Sequence, residues 1–394
     1  MRVTTAFNRL LRLPGTRVTA VRWTPDGLVV SVCPTRRVRC CPCGSSTRAV
    51  YDRAQRRWRH LDACGTRVWL EAEVCRVDCR SCGRVRTEVV PWARPGGRHT
   101  IGFERHVLWC ARRMDKTAVA HLLRISWETV DAMIVRAVGD PARLARLDGL
   151  RRIGVDEISY RRGHRYLTIV CDHDTGSVVW AGEGKNAAVL SEFYTALGPR
   201  RCRQLKAVSM DLGVAYQHAT RAAAPNAKIC ADPFHLLKIA SKTVDVVRAR
   251  TLKSMSKNPQ LRWALLMRPD RLNQVQQQLL EQLAADDTDA WRAWSHREQF
   301  RAVLKVRPRQ AARAVDAWLA TAAASIVTPV RNLAARMAKH RELIINTITT
   351  GISNGRLEGT NSKIRMLNHR GYGHHRPQAL IALIMLACTP EAAL

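Results

Sequence analysis

Acidic residues are scarce in this chain. Its 394 residues carry 32 Asp and Glu against 65 Lys and Arg, a formal net charge of +33 with a pI near 10.9. So few carboxylates cannot neutralise the cations internally. Clustered cations gain free energy by releasing counterions from phosphates, so the imbalance points to a nucleic acid as partner. Lysine is scarce too, at eleven of the 65 cations. A genomic preference for Arg codons explains that choice but not the excess over acids. No stretch reaches the roughly 18 consecutive apolar residues a membrane span needs, which excludes a spanning helix and a membrane partner. The opening MRVTTAFNRLLRLPG lacks a long apolar core before a small-residue cleavage site and does not read as a signal peptide. Thirteen cysteines without a secretory signal argue for a reducing compartment, and for metal or free thiols over disulfides. No internal repeat or low-complexity tract stands out beyond the Arg richness. What is present is a 46% hydrophobic share over a length sufficient for two or three domains.

The pattern divides the chain into five parts. Residues 1–96 hold a hairpin, VTAVRWTPDGLVVSV with its TPDG turn, and then cysteine-rich sequence; PWARPGG (91–97) reads as a linker. Residues 97–148 read as a helix-turn-helix part, with helical periodicity over 101–140. Residues 149–252 alternate strands and helices: RRIGVDEISY, RYLTIVCDHD and GSVVWAG as strands, NAAVLSEFYTAL as a helix, QLKAVSMD as a strand, GVAYQHATRAA as a helix, AKICAD as a strand, and a helix opened by Pro233. Residues 253–340 read as helical throughout, with Trp263, Trp291, Trp294 and Trp318 spaced along them, and residues 341–394 close the chain. The order βββ-α-β-α-β-α is that of an α/β, RNase H-like fold, here interrupted by a large all-helical insertion.

RCCPCGSS and CRSCGR each hold C-x-x-C followed by Gly. In such a knuckle two thiolates converge on one tetrahedral ion, and Gly44 and Gly83 permit the bend past it. The expected ligands of one structural Zn²⁺ are Cys40, Cys43, Cys79 and Cys82, a small zinc ribbon. Cys41 could replace Cys40, at the cost of a C-x-C spacing. RVWLEAEVCRV (67–77) has the alternation for a hairpin between the knuckles. Four sulfurs would leave the ion no open position, so this Zn²⁺ should not be catalytic.

MDKTAVAHLLRISWETVDAMIVRAV suits a helix-turn-helix. Arg124 and Ile125 make the turn and Ser126 caps the second helix. Trp127, Thr129 and Arg136 would lie outside, where a recognition helix meets DNA, with Arg124 at the turn beside them.

The carboxylates carry the chemistry. Asp156 sits in the strand IGVDEIS between apolar neighbours, where it needs a partner, a metal or a proton. Asp211 ends the strand LKAVSMD. In an RNase H-like sheet the first and fourth strands are neighbours, so the two acids would lie together and repel until divalent cations bind. In GISNGRLEGTNSKIRML, Asn354, Glu358, Asn361 and Arg365 fall on one helical stripe, with Leu357 and Ile364 to one side to seat it. One acid flanked by amides and a guanidinium suits a metal ligand beside phosphate. Asp232 and His235 in DPFH are expected to support that site. Lys363 and Arg370 bring cations towards DNA, and MLNHRGYGHHRPQAL reads as a flexible basic loop along it. Glu157, Asp172 and Asp174 read as surface or turn residues.

GVDEIS, SMDLGVAY, ADPFHLLK and SNGRLEGTNSKIR, preceded by paired cysteines, resemble the DDE transposases of bacterial insertion sequences, most nearly the ISL-three family. The resemblance implies Asp156, Asp211 and Glu358 as a catalytic triad holding two Mg²⁺ (or Mn²⁺) ions. It implies hydrolysis of a strand at the element's ends, joining of the freed 3′-hydroxyl to target DNA, double-stranded DNA as substrate, a homodimer, and a place in the bacterial cytoplasm at the nucleoid. Similar proteins read C-P-x-C-G where this chain has C-C-P-C-G, which leaves Cys40 against Cys41 open. The competing expectations are a non-enzymatic regulator built on a decayed scaffold, and an RNase H-like nuclease without strand transfer.

Overall fold

A computed structural model describes residues 2–139, 145–251, 258–374 and 376–389. They divide into two compact units, residues 1–134 and 135–394.

The first unit opens with α1 (Val3–Leu11), tied to the strand that follows by Asn8, whose Oδ1 accepts from the Val18 amide at 3.0 Å. The strands are β1 (Thr16–Thr24), β2 (Gly27–Pro34), β3 (Arg39–Cys40), β4 (Ser46–Thr47), β5 (Asp52–Ala63), β6 (Thr66–Cys79) and β7 (Arg84–Thr87). The main sheet runs β1-β2-β6-β5 with β7 on β6; β2 and β6 are parallel and the other pairs antiparallel. Val68, Leu70, Ala72 and Val74 alternate into its core from β6, where Trp58 packs edge-on against Trp92 at 5.5 Å. The hairpin expected between the knuckles forms, with residues 67–77 inside its long second arm β6 and β5 as the first. PWARPGG is core and not spacer, because Trp92 and Ala93 are buried. Three helices follow: α2 (Ile101–Ala111), capped by Thr100; α3 (Lys116–Leu123), capped by Asp115; and α4 (Trp127–Val138), which runs into the second unit.

The second unit is mixed α/β. β8 (Arg152–Arg161), β9 (Arg165–Asp172) and β10 (Val178–Glu183) form an antiparallel meander. Then come α5 (Ala187–Leu197), α6 (Pro199–Cys202), β11 (Ala207–Met210), α7 (Val214–Ala223), β12 (Lys228–Ala231) and α8 (Pro233–Thr251). The sheet order is β10-β9-β8-β11-β12, with β11 parallel to both β8 and β12. The helical block holds α9 (Pro259–Leu266), α10 (Gln274–Ala285), α11 (Asp289–Val303), α12 (Ala311–Ala323) and α13 (Thr328–Ala338). Phe300 and Trp318 meet there at 4.4 Å, and the fully buried Arg297 guanidinium donates to the Leu265 carbonyl at 2.5 Å and the Met267 carbonyl at 3.3 Å.

α14 (Arg341–Thr350) then covers the edge strand. Asn346 donates to the Ile229 carbonyl and Thr347 to that of Ala231, so polar groups of the edge find partners. α15 (Gly355–Arg370) and α16 (Pro377–Ala387) seat Leu357, Ile364, Leu380 and Ile384 against Ile158, Leu167 and Ile169. The basic segment expected as a loop is thus mostly helix, with only residues 371–376 between α15 and α16; His375 lies outside the described residues. No helix among the described residues is long and apolar enough to cross a membrane.

Candidate functional site

β8 and β11 run parallel with Ser209 opposite Gly154, a register that carries Asp211 and Asp156 to the same end of the sheet. Successive strand residues face opposite sides. Gly154 faces α15, since a Cβ there would meet Leu357, and Asp156 shares that side. Asn361 on α15 reaches Asp156 Oδ2 with its Nδ2 at 2.5 Å, and the Glu157 amide donates to Asp156 Oδ1 at 2.8 Å. Burial pushes the Asp156 carboxyl above its usual range, and the neighbouring Asp211 adds to the rise.

Asp232 follows β12 and His235 stands in the first turn of α8. His235 Nδ1 lies 2.9 Å from Asp232 Oδ2 and 2.6 Å from Asp211 Oδ1. One N–H cannot serve both in good geometry. Its direction suits Asp232, while the buried Asp211 Oδ1 faces the same nitrogen as an ion pair. Asp211 first and Asp232 second push the imidazole pKa up to about 10. Asp211, Asp232 and His235 offer ligand atoms within 4.8 Å of one another, a group able to hold a cation. Asp232 and His235, expected to support the site, both lie in this group.

Asp156, Asp232, His235, Asn354, Glu358, Asn361 and Arg365 all line one cavity of about 360 Å³. The stripe 354, 358, 361, 365 therefore faces it as the helical spacing predicts. Asn354 and Asn361 are 2% and 5% exposed, whereas Glu358 and Arg365 are open to solvent. The three acids Asp156, Asp211 and Glu358 do not themselves form a group within 4.8 Å among the described residues; Glu358 lines the cavity with Asp156.

Two features escaped the sequence. Glu157 is not a surface residue: it lines both this cavity and a neighbouring one of about 510 Å³, and burial raises its carboxyl pKa against a hydrogen bond from Tyr216. Its place beside Asp156 was visible, but strand alternation assigns it to the other face. Behind the site, His173 Nε2 lies 2.6 Å from Ser209 Oγ, Ser209 donates to Asn354 Oδ1 at 2.5 Å, and the Asn354 backbone N–H donates to Asp232 Oδ1 at 3.3 Å. This buried chain of hydrogen bonds fixes Asp232 from the interior.

In the first unit, four sulfurs converge: Cys41, Cys43, Cys79 and Cys82. Cys41 and Cys82 lie 3.8 Å apart and Cys43 and Cys79 3.6 Å apart, close to the edge of a tetrahedron with metal–sulfur bonds of about 2.3 Å. Gly44 and Gly83 have φ of +95° and +65°, the left-handed bends expected past each pair. Ser45 holds the Cys43 thiol down to about 6. The expectation that Cys40 completes the set is corrected to Cys41. Adjacent residues of an extended segment project oppositely, and Cys40 turns instead towards Arg36, whose Nη1 lies 3.3 Å from its sulfur.

The helix-turn-helix elements form as read. Arg124 closes α3 with φ +54°, and Ser126 Oγ accepts from the Thr129 amide at 3.2 Å. Trp127 is 45% exposed, with the Lys116 ammonium 4.7 Å from its ring, and Arg136 is exposed. Thr129 is half-buried against Ser126. Arg124 is engaged within the fold, pairing with Asp62 and donating to the Gly65 carbonyl at 2.8 Å. Lys363 donates to the Ala387 carbonyl at 2.5 Å and so ties α15 to the end of α16, while Arg370 is half-buried at the end of α15.

Comparison with known families agrees with this arrangement. A family model described as "Transposase" matches residues 153–384. One described as the helix-turn-helix domain of transposase family ISL3 matches residues 88–138, and one described as the zinc-finger of transposase IS204/IS1001/IS1096/IS1165 matches residues 36–82. The chain belongs to the ISL3 transposases. It is 38% identical over 379 residues, 88% of this chain and 85% of the relative, to the transposase for insertion sequence element IS1557 of Mycobacterium tuberculosis (strain H37Rv). It is 27% identical over 392 residues, 95% and 96% of the two chains, to the transposase for insertion sequence element IS1001 of Bordetella parapertussis.

Proposed function

We propose that this chain is a DDE-type transposase that cuts DNA at the ends of its element and joins the freed 3′-hydroxyls to target DNA. The observation that carries this reading is the gathering of Asp211, Asp232 and His235, whose ligand atoms lie within 4.8 Å of one another, beside Asp156 on the neighbouring parallel strand. An anionic oxygen in that position suits a cation. The strand order β10-β9-β8-β11-β12, a meander extended by two parallel strands, supports an RNase H-like assignment for this unit.

Two divalent ions, Mg²⁺ or Mn²⁺, held by Asp156, Asp211 and Glu358 with Asp232 alongside, would supply an acidified water and charge stabilisation at the entering and leaving oxygens. The protein's own groups do the rest. Asn361 fixes the Asp156 carboxylate through its amide. Asn354 and His235 hold Asp232 from either side. Arg365 and Lys238 stand on the cavity wall, where each can bind a non-bridging phosphate oxygen. Attack in line by water and then by the 3′-hydroxyl needs no covalent enzyme intermediate.

Zinc at Cys41, Cys43, Cys79 and Cys82 would fill all four tetrahedral positions and so act structurally, pinning the chain ahead of β5 to the end of β6. The cysteine module and the α3–α4 pair would recognise the element's terminal repeats, with Trp127, Thr129 and Arg136 nearest the groove. Pairing of two ends calls for a homodimer, working on double-stranded DNA in the bacterial cytoplasm at the nucleoid.

The test is incubation with a supercoiled plasmid carrying the DNA that flanks the gene on both sides, with Mg²⁺. Strand breaks at the element ends followed by joined products are expected, and Asp156→Asn, Asp211→Asn and Glu358→Gln should each abolish both while still binding the ends. Unimpaired cutting by all three variants removes the triad. Cutting without joining replaces transposition by a nuclease activity.

A further inference from the structure

α8 begins in the acidic site and carries a cationic face away from it. His235, Lys238, Lys242 and Arg250 follow at intervals of three, four and eight residues, close enough to whole helical turns to share one side. The cavity of about 360 Å³ shares Glu157, His235 and Lys238 with that of about 510 Å³. The latter shares Ile239, Lys242 and Arg336 with a third, of about 290 Å³, walled by α8 and α13. The three form one trough. Its inner end holds Asp156, Asp211 and Glu358. Its outer part is lined by Lys242, Arg250, Arg336 and Asn332 over a floor of Val246 and Leu333, with no acid.

The cations there are exposed, and none makes an ion pair among the described residues. Some exposed arginines elsewhere find partners, as Arg341 does with Asp316 and Arg76 with Asp52, but with 65 cations against 32 acids many do not; what sets these apart is their row along connected cavities. A row of exposed cations without carboxylates leaves phosphate as the fitting counter-charge.

We propose that this trough between α8 and α13 holds the phosphodiester backbone of one DNA strand leading into the acidic cavity. The proposal rests on the strand-cleavage reading above and names the path of its substrate. From Lys238 to Arg250 the helix rises about 18 Å, the length of roughly five nucleotides of one B-form strand. The apolar floor suits the sugar and base faces of an unpaired strand.

The test measures binding of a mixed-sequence single-stranded oligonucleotide by fluorescence anisotropy across a range of salt, without added divalent metal. The pair Lys242→Ala/Arg336→Ala is compared with Arg309→Ala/Arg313→Ala, two exposed cations of the helical block with the same loss of charge. The trough pair should lower the slope of log K against log salt by about 1.4, near 0.7 for each phosphate no longer neutralised, and the control pair should leave it unchanged. Lys238→Gln/Arg250→Gln, on the same face, should reproduce the drop. An unchanged slope in both trough pairs, or an equal drop in the control, overturns the proposal. Binding needs no catalysis: a wild-type chain that never nicks plasmid sinks the cleavage reading and leaves the track standing, whereas nicking with an unaltered slope sinks the track alone.

Discussion

Asn361 donates from Nδ2 to Asp156 Oδ2 at 2.5 Å, joining α15 to β8 between residues 205 positions apart. The bond holds one carboxylate oxygen in place and Oδ1 accepts the Glu157 backbone N–H, so both oxygens of this cavity-lining acid are positioned. A hydrogen bond to a charged group is worth about 1.5–3 kcal/mol, so Asn361→Ala should slow strand cleavage about 10- to 100-fold. DNA binding should be unchanged, because the side chain is buried. Single-turnover nicking rates, with anisotropy on the same DNA, measure both. A rate equal to that of wild type would show that Asn361 only packs.

The cysteine cluster separates two adjacent residues cleanly. Cys41→Ser should lower bound zinc and loosen the first unit, because its sulfur is buried among the other three. Cys40→Ser should keep the metal, since its sulfur faces Arg36. Zinc content by mass spectrometry, with thermal unfolding of both variants, decides. Structural zinc contributes apparent free energies of about 10–16 kcal/mol in small finger peptides, so a real ligand loss is not subtle. Full zinc in Cys41→Ser together with loss in Cys40→Ser would reverse the assignment.

Much of the second unit could be read from the residues. GVDEIS, RYLTIV and LKAVSM are apolar runs bounded by turns, and Pro233 marks a helix start, so β8, β9, β11 and α8 lie where the pattern puts them. β5 was not legible: DRAQRRWRHLDA is Arg-rich, and its extended form comes from pairing with β6 rather than from its own preference. Cys40 against Cys41, and Glu157 against Asp156, failed for a common reason. A period-2 chain flips every side chain on a one-residue shift, and only the partner strand or turn fixes which face is which. The hydrogen-bond chain from His173 through Ser209 to Asn354 joins residues that no local pattern connects.

His60 makes the first unit sensitive to acid. Burial, with Arg59 nearby, lowers its pKa below 6.5, and its Nδ1 meets Thr100 Oγ1 at 2.8 Å. The unfolded chain therefore binds a proton at a pH where the folded chain does not. Stability from this group is complete above the unfolded value and is lost as pH falls through it, at no more than about 1.4 kcal/mol per pH unit. Denaturant midpoints between about pH 6.5 and 5 should fall in wild type and fall less steeply in His60→Asn. Parallel profiles would show that the loss comes from other groups.

Gly154 is the point where α15 can approach the sheet. A Cβ there would stand 2.7 Å from Leu357 Cδ1 and 2.9 Å from His173 Nε2. Leu357 can give a little, but His173 is held by Ser209, so the strain falls on α15. Overpacking of this kind costs about 1–3 kcal/mol. The same helix carries Glu358 and Asn361, and a displacement of about 1 Å in a positioned group can cost on the order of 100-fold in rate. Gly154→Ala should therefore fold, melt a few degrees lower, and lose cleavage out of proportion to its lost stability. Calorimetry and nicking rates on one preparation separate the two effects. A variant that melts lower yet cuts as fast as wild type would show that α15 sets its distance from β8 without Gly154.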